Sequence, residues 1–430
     1  MMQSKHLESR LAVLAGARTP QAKAFGALQS FTATQLAQHA VAAVLDRIAL
    51  QPQDVDETVF GNVATPADSA NIARVIALKS GVPQDRIAHT VNRNCASGME
   101  SLIQGWQILR EDRAKIILAG GTESMSNIPL LARDSFKRKL MHLARSKSTW
   151  QKLRAISKLG LRDLRPIAGL ELGLTDPTCG MNMAQTAELL AQEFGITREQ
   201  QDAFALQSHQ RAHAAGERCF MSGEIAALKN ASVELKLDTG PRKNQSMEQL
   251  AKLRSITSRE GSVTPGNSCP LTDGATAMLL SLPEVAQELE IEPLGYVTGY
   301  AIAGCDPRRM GLGPVYATAK LLKEQNLQMQ DFDLIEINEA FAAQVLACLK
   351  AMESSNFAKQ HLGRSGAVGE IDPEKLNIHG GAIALGHPLG ATGARLVLTL
   401  LRALKEKGLR RGMATLCVGG GQGMAVMVET

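Results

Sequence analysis

Along this chain the apolar positions keep two rhythms, and one succession of them occurs twice. From Thr34 to Ile48 they recur with the period of a helix. An acidic turn and a short apolar run follow, Leu50-Gln51-Pro52-Gln53-Asp54-Val55-Asp56-Glu57-Thr58-Val59-Phe60-Gly61-Asn62. A second helical run, Ala317 to Gln325, precedes Leu327-Gln328-Met329-Gln330-Asp331-Phe332-Asp333-Leu334-Ile335-Glu336-Ile337-Asn338-Glu339. Both passages predict helix, turn and buried strand, and these two 13-residue stretches share five identities.

The likeness continues downstream. Ile116 to Met125 and Thr415 to Met424 each predict an apolar strand ending in a glycine-rich turn. Small-residue turns open the helices before those strands. Cys95-Ala96-Ser97-Gly98 leads into a helix to about Leu109, and Gly390-Ala391-Thr392-Gly393 into one to about Leu404. Short α/β units can look alike by chance, but the repeated order favours duplication. Alternating strands and helices predict α/β layers with a mostly parallel sheet. Duplicated halves would pack about a pseudo-twofold axis with the site at their junction. Residues from Asn127 to roughly Leu253 have no counterpart in the second half. They hold a basic stretch, a Gly/Pro-rich passage (Gly169 to Gly180), and a helix that starts at the capping-box spacing Thr197-Arg198-Glu199-Gln200 and runs through Ala215. This segment is expected to form a lid or ligand-binding subdomain.

Length and composition narrow the class. At 430 residues, two or three domains are expected, and 44% apolar residues provide ample core. No stretch reaches the ~18 apolar residues of a spanning helix, and Met1–Arg10 lacks the order of a signal peptide. A native start and a cytoplasmic location are therefore expected. Seven scattered cysteines without a CxxC pair argue against a disulfide framework and against a zinc site. The net charge of +5 is local: residues 133–165 hold eleven Lys/Arg and two acidic residues, leaving the remainder slightly acidic. A nucleic-acid partner is not supported.

Four loops carry candidate chemistry. Cys95 precedes an apolar helix, whose exposed amides and dipole favour a thiolate. Such a position can lower a thiol from about 8.5 to between about 3.5 and 7.5. Taken alone, an inert buried cysteine is the commoner case. His387, in Gly386-His387-Pro388-Leu389-Gly390, can take the thiol proton and hydrogen-bond a developing oxyanion. His379 is the second choice for that role. Cys417 ends a predicted strand before Val418-Gly419-Gly420-Gly421, where a thiol can move a proton to or from carbon. The glycine run could suggest a dinucleotide loop, but no helix of useful length follows it. Asn338, at a strand end, can orient a water or an oxygen.

Together Cys95-Ala96-Ser97, Asn338-Glu339-Ala340-Phe341, Gly386-His387-Pro388 and Cys417-Val418-Gly419 resemble the thiolase family, in the family's order and over essentially the whole chain. Thr264-Pro265-Gly266-Asn267-Ser268, Leu271-Thr272-Asp273-Gly274-Ala275 and Thr197 to Asp202 add to the likeness. The resemblance implies two mixed sheets in α-β-α-β-α layers. The halves would be residues 1–126 with 254–283, and residues 284–430, with residues 127–253 inserted for CoA binding. It implies ping-pong acyl transfer, with Cys95 as nucleophile, His387 as base, Cys417 as acid and base, and Asn338 and the Gly419 amide serving oxyanions. Asn182, Met183, Ser268, Cys269 and Leu271 would line the CoA site. Coenzyme A and acyl-CoA are substrates, and no metal or other cofactor is implied.

The expected activity is a 3-ketoacyl-CoA thiolase (acetyl-CoA C-acyltransferase) of fatty-acid β-oxidation. An acetoacetyl-CoA thiolase is the alternative, and a silent lipid-binding or scaffolding subunit stands outside the class. A ketoacyl synthase would be expected to use two histidines instead. Lys158 to Pro166 resembles the longer thiolases that serve as β-subunits of fatty-acid oxidation complexes, whose partner is an α-subunit. Phe136, Leu140, Leu143, Trp150, Leu153 and Ile156 fall at helical spacing among the basic residues. Such a helix could meet that subunit or an anionic membrane, or equally face a tetramer partner or CoA. Three positions depart from the family pattern: Asn338 where these β-subunits usually carry His, Cys269 in place of a small hydroxyl residue, and Asn182 in place of a histidine. A homodimer or homotetramer is implied.

Overall fold

The computed structural model describes residues 10–48, 50–229 and 234–430. In the first half, β1 (Leu11–Arg18), α1 (Ala33–Arg47), β2 (Glu57–Gly61), α2 (Ile72–Lys79), β3 (Ile87–Val91), α3 (Ser97–Arg110) and β4 (Ile117–Ser124) follow one another. After these come α4 (Asp134–Arg145), α5 (Thr149–Ile156), α6 (Met183–Glu193) and α7 (Arg198–Glu217), and β5 (Thr272–Ser281) completes the half. The second half runs β6 (Gly295–Gly304), α8 (Gly313–Gln325), β7 (Leu334–Ile337), α9 (Ala342–Glu353), α10 (Leu389–Lys407), β8 (Arg411–Val418) and β9 (Gln422–Glu429).

The strands lie in the order β7-β8-β9-β6-β1-β5-β4-β2-β3, with Ala22–Lys23 added beside β5. This is two half-sheets joined edge to edge, because Leu11, Ala12 and Val13 of β1 pair with Val297, Tyr296 and Gly295 of β6. The two mixed sheets expected are present as the halves of one ten-stranded sheet, joined by a short seam. The expectation of a mostly parallel sheet is corrected. Only β2/β3, β2/β4 and β7/β8 are parallel. The β8–β9 connection is the tight Gly419–Gly421 turn, which forces an antiparallel pair.

Between the halves lie α3 and α10. Met99, Leu102, Ile103 and Trp106 of α3 share one buried core with Leu396, Val397, Leu400 and Leu404 of α10, and with inward residues of β4, β5, β8 and β9. Outside the first half-sheet, α1 and α2 bury Leu36, Val41, Ile72 and Ile76. Outside the second, α8 and α9 bury Val315, Leu321, Val345 and Ala351. Five α-β-α-β-α layers result. Each fully buried leucine or valine contributes about 1.5–3 kcal/mol against an exposed one, so these faces account for the close packing of the layers.

The duplication extends to single hydrogen bonds. Asp54 accepts from the Gln51 amide at 2.8 Å, and Asp331 from the Gln328 amide at 2.8 Å. Asp56 Oδ2 accepts from the Lys115 and Ile116 amides at 2.8 and 3.0 Å, where β4 begins. Asp333 Oδ2 does the same for Arg410 and Arg411 at 3.0 and 2.9 Å, where β8 begins.

Residues 127–253 contain two kinds of structure. The α4–α5 hairpin stands at the surface, and no residue of α4 is buried. It is two helices broken near Ser146, the second capped by the Ser148 hydroxyl, where one basic helix was expected. By contrast, the segment after α6 belongs to the body: Ala212, Ala215, Phe220, Met221 and Ile225 join the central core. Buried Arg18 of β1 binds Glu224 and Asp238 at 2.6 Å each. Among the described residues no helix is long and apolar enough to cross a membrane.

Candidate active site

Cys95 sits in a turn closed by its neighbours. The Ala96 and Ser97 amides donate to the carbonyls of Arg93 and Asn94 at 3.0 Å each. The Ser97 hydroxyl accepts from the Arg93 amide at 2.9 Å and donates to the Asn94 carbonyl at 2.7 Å. The turn delivers the half-buried sulphur just ahead of α3. It is also tied to the other half of the molecule. Asn94 Nδ2 donates to the Gly419 carbonyl at 2.8 Å, and Arg93 reaches Gln422 at 3.0 Å while pairing with Glu100 at 2.7 Å. The Gly419 amide lies near enough to the Cys95 sulphur to favour its thiolate. The loops of Cys95 and Cys417 therefore meet, tied through the Gly419 carbonyl.

The expectation of a resting thiolate does not survive this packing. Burial pushes the Cys95 thiol up to about 11, and the nearby Glu123 charge adds to the rise. The Gly419 amide and the thiol's own amide pull the other way without prevailing. Cys417, at the end of β8 and 1% exposed, is raised well above the ordinary thiol value by burial and then by the Cys95, Cys348 and Cys269 thiols. Cys95, Cys417 and Cys269, from three segments, thus lie within electrostatic reach of one another.

His387 is buried, and its backbone amide donates to the Thr272 hydroxyl at 3.0 Å. Its Nδ1 lies 2.7 Å from the Thr392 hydroxyl, which itself donates to the Pro388 carbonyl at 2.9 Å. With that hydroxyl hydrogen committed, Nδ1 is assigned as the protonated nitrogen and Nε2 keeps its lone pair. Nε2 stands 3.4 Å from Asn338 Nδ2, and the Asn338 side-chain oxygen is buried without a protein partner among the described residues. Burial, with Arg395 nearby, lowers the imidazole to about 3, so it is neutral at physiological pH. A neutral imidazole with an unprotonated Nε2 beside the Asn338 amide, together with protonated thiols, forms a set able to exchange protons.

The remaining sequence candidates divide. Met183 brings its sulphur to within 3.5 Å of where a Cβ on Gly419 would lie, so it borders the site. Cys269 joins it too: its amide donates to the Ala340 carbonyl at 3.0 Å, beside the Asn338 loop, and burial raises its thiol to about 12. Ser268 is buried with its hydroxyl donating to the Thr264 carbonyl at 2.7 Å, which commits its hydrogen to the loop. Leu271 is half-buried, its carbonyl accepting from Ala24 at 2.8 Å. Asn182 caps α6, accepting from the Gln185 amide at 2.9 Å, so its side chain holds a helix end. His379, the competing histidine, stacks on Phe220 at 3.7 Å near Arg218 and has no contact with Asn338.

Two residues of the site were not anticipated. Thr392 fixes the His387 tautomer from one turn into α10; a hydroxyl at that spacing from a loop histidine was the available signal. Glu123 binds the Gly390 amide across the half boundary at 3.0 Å. Nothing in its own stretch of sequence pointed to that contact.

Two thiol loops and a histidine loop thus meet where the two half-sheets adjoin, a set of groups suited to acyl transfer. Residues 11–283 match the family model for the thiolase N-terminal domain, and residues 291–430 that for the thiolase C-terminal domain. The chain belongs to the thiolase family of acyltransferases. It is 38% identical to a 3-ketoacyl-CoA thiolase of Yersinia enterocolitica over 424 residues, covering 98% of this chain and 97% of that one. A 3-ketoacyl-CoA thiolase of Aliivibrio fischeri is also 38% identical, over 98% of this chain and 95% of its own. Human mitochondrial 3-ketoacyl-CoA thiolase superposes with a TM-score of 0.86 at 35% identity, covering 99% of each chain, and a second structure of it is a complex with CoA. A Bacillus anthracis acetyl-CoA acetyltransferase gives a TM-score of 0.85 at 33% identity over 99% of each chain.

Proposed function

We propose that this chain is a degradative 3-ketoacyl-CoA thiolase, cleaving its substrate with a second CoA to acetyl-CoA and a shortened acyl-CoA. The observation that carries the reading is the Gly419 bridge, which brings the Cys417 loop onto Cys95 from the opposite half of the chain. In this reading the Cys95 thiol gives its proton to His387 Nε2 and attacks the ketone carbon. The bond to the neighbouring carbon breaks, and the departing enolate of acetyl-CoA takes the Cys417 proton. CoA then gives its thiol proton to the Cys417 thiolate and attacks the acyl group, and Cys95 recovers its proton from His387. Asn338 and the protonated His387 serve one oxyanion, and the amides of Cys95 and Gly419 the other. The decisive assay is CoA-dependent thiolysis across short- to long-chain 3-ketoacyl-CoAs. Turnover that rises beyond the shortest substrate supports the reading. Turnover confined to acetoacetyl-CoA would favour the acetoacetyl-CoA thiolase reading, to which the Bacillus anthracis neighbour gives weight, and no thiolysis at all would overturn both.

Its partners follow from two surfaces. The outer edge strand β3 exposes Ile87 and unpaired backbone, which supports a homodimer or homotetramer; a monomer in sedimentation would contradict this. The α4–α5 hairpin exposes Trp150 by 82% and also Leu140, Met141 and Leu153. Its cavity of about 720 Å³ is lined by Arg138, His142, Arg145, Arg154 and Lys158 without a carboxylate. An anionic lipid surface suits this mixture of cations and apolar tips. Binding to anionic but not neutral vesicles is expected, lost in Trp150→Ala with Arg154→Ala. Binding to an oxidation-complex α-subunit without any to vesicles would reverse the assignment.

A further inference from the structure

We propose that Glu123 is a positioning residue for this reaction: it holds the His387 loop in register with the Cys95 side of the site and opposes negative charge on that sulphur. Its side chain, at the end of β4, is 1% exposed and touches four N–H donors. Oε1 accepts from Asn62 Nδ2 at 3.1 Å and from the Ala64 amide at 3.0 Å. Oε2 accepts from the Val63 amide at 3.1 Å and the Gly390 amide at 3.0 Å. Gly390 is three residues beyond His387, in the first turn of α10, where helix amides have no partner within the helix.

Close backbone packing makes this bond a lever. A Cβ on Gly390 would come within 2.9 Å of the Gly61 carbonyl, and one on Gly98 of α3 within 2.7 Å of the Gly390 carbonyl. The start of α10 is therefore wedged between the end of β2 and the start of α3, and Glu123 is the side chain that fastens it there. With Thr272 and Thr392 holding His387 itself, the Gly390 contact fixes where the whole loop sits. Burial raises Glu123 to about 7 against its four donors, and its charge when ionised adds, behind burial, to the rise of the Cys95 thiol. Cys417, Cys269 and the Gly419 amide face the same sulphur from the other segments. The resting thiol would thus stay protonated, and resist alkylation, until substrate supplies its oxyanion contacts.

This inference rests on Cys95 being the nucleophile. The test compares wild type, Glu123→Gln and Glu123→Asp in thiolysis and in iodoacetamide alkylation at several pH values, with the modified peptide identified. Glu123→Gln places an amide against N–H donors and removes the charge. Its turnover is expected to fall about 10- to 100-fold, since sub-ångström misplacement has costs of that order. Its Cys95 alkylation at pH 8 should rise above the wild-type rate, because the charge that opposes the thiolate is gone. Glu123→Asp keeps the charge but falls short of Gly390. It should lose turnover while alkylating at the wild-type rate, which shows that the gain in Glu123→Gln is not mere exposure of the thiol. Unchanged alkylation in Glu123→Gln, or unchanged turnover in Glu123→Asp, overturns the proposal. If Glu123→Gln does not fold, the turnover of Glu123→Asp decides alone. Alkylation of wild type at a thiol other than Cys95 would instead sink the nucleophile assignment itself.

Discussion

In the first half of the chain an acidic turn launches β2 and fastens the start of β4; in the second the same turn launches β7 and fastens β8, with hydrogen bonds that agree to within 0.2 Å. The halves part company at the turns before their central helices. Ahead of α3 the first half places Cys95, held by Asn94 and Ser97. Ahead of α10 the second places His387, held by Thr392, with Gly390 where the repeat would put a second Cys95. Backbone-supporting residues have stayed alike while the residues facing the junction have diverged. In the proposed reaction one half offers the nucleophile, and the other supplies the base, the amide and the second thiol. On that reading neither half does the chemistry alone, and their junction is the functional unit.

That division can be broken at several points. Removing the first half's contribution with Cys95→Ala should cost the most, at least about 10⁴-fold in turnover, as loss of a nucleophile does elsewhere. Cys417→Ser, in the second half, should lower turnover about 10²- to 10⁴-fold while acylation of Cys95 persists. Unaltered kinetics in that variant would deny Cys417 its role. Asn338→Ala should cost about 10²-fold in kcat with little change in KM, because it acts on an oxyanion. The frame gives the smallest effect and the sharpest comparison. Asp56→Ala and Asp333→Ala should each destabilise by about 1–3 kcal/mol in denaturant melts, leaving two amides without their acceptor. Asp56 also pairs with Arg86 at 2.9 Å, an exposed contact that adds less than about 1 kcal/mol. A large effect at only one of the two positions would mean that the halves no longer share their support.

The acid–base reading has its own pH signature. A thiol near 11 is mostly protonated throughout the neutral range, so Cys95 alkylation should grow about tenfold per unit from pH 7 to 9. Since the imidazole titrates near 3, protonation of His387 should not reduce turnover between pH 8 and 5. A plateau in alkylation below pH 8 would restore the pre-formed thiolate expected from the helix terminus.

Which features could be read in advance follows from the range of the forces involved. The five-residue identity of the two acidic turns and the thiol, amide and histidine loops are local signals, and helix ends fell within a few residues where a cap marks them. Thr197 caps α7 with Gln200 as its spacing predicts. The start of α8 fell four residues earlier than expected, because Gly313-Pro314 reads as a breaker although proline is well accommodated in a helix's first turn. What stayed hidden depends on contacts between distant segments. The acidity of Cys95 is set by packing against Gly419 and Glu123, which overrides the helix terminus. The seam of β1 and β6 rests on three residue pairs that carry no motif. The capping role of Asn182 is a local signal, legible in the spacing Asn182-Met183-Ala184-Gln185.

The most direct test of two thiols from opposite halves serving one reaction uses acetyl-CoA alone. The wild type and Cys417→Ser are incubated with it, digested and mapped by mass spectrometry. A single acetyl group on the peptide bearing Cys95 in both proteins is expected, with exchange of the acetyl-CoA methyl protons into deuterated solvent lost only in Cys417→Ser. Acetylation of another residue, or full proton exchange without Cys417, would contradict the account.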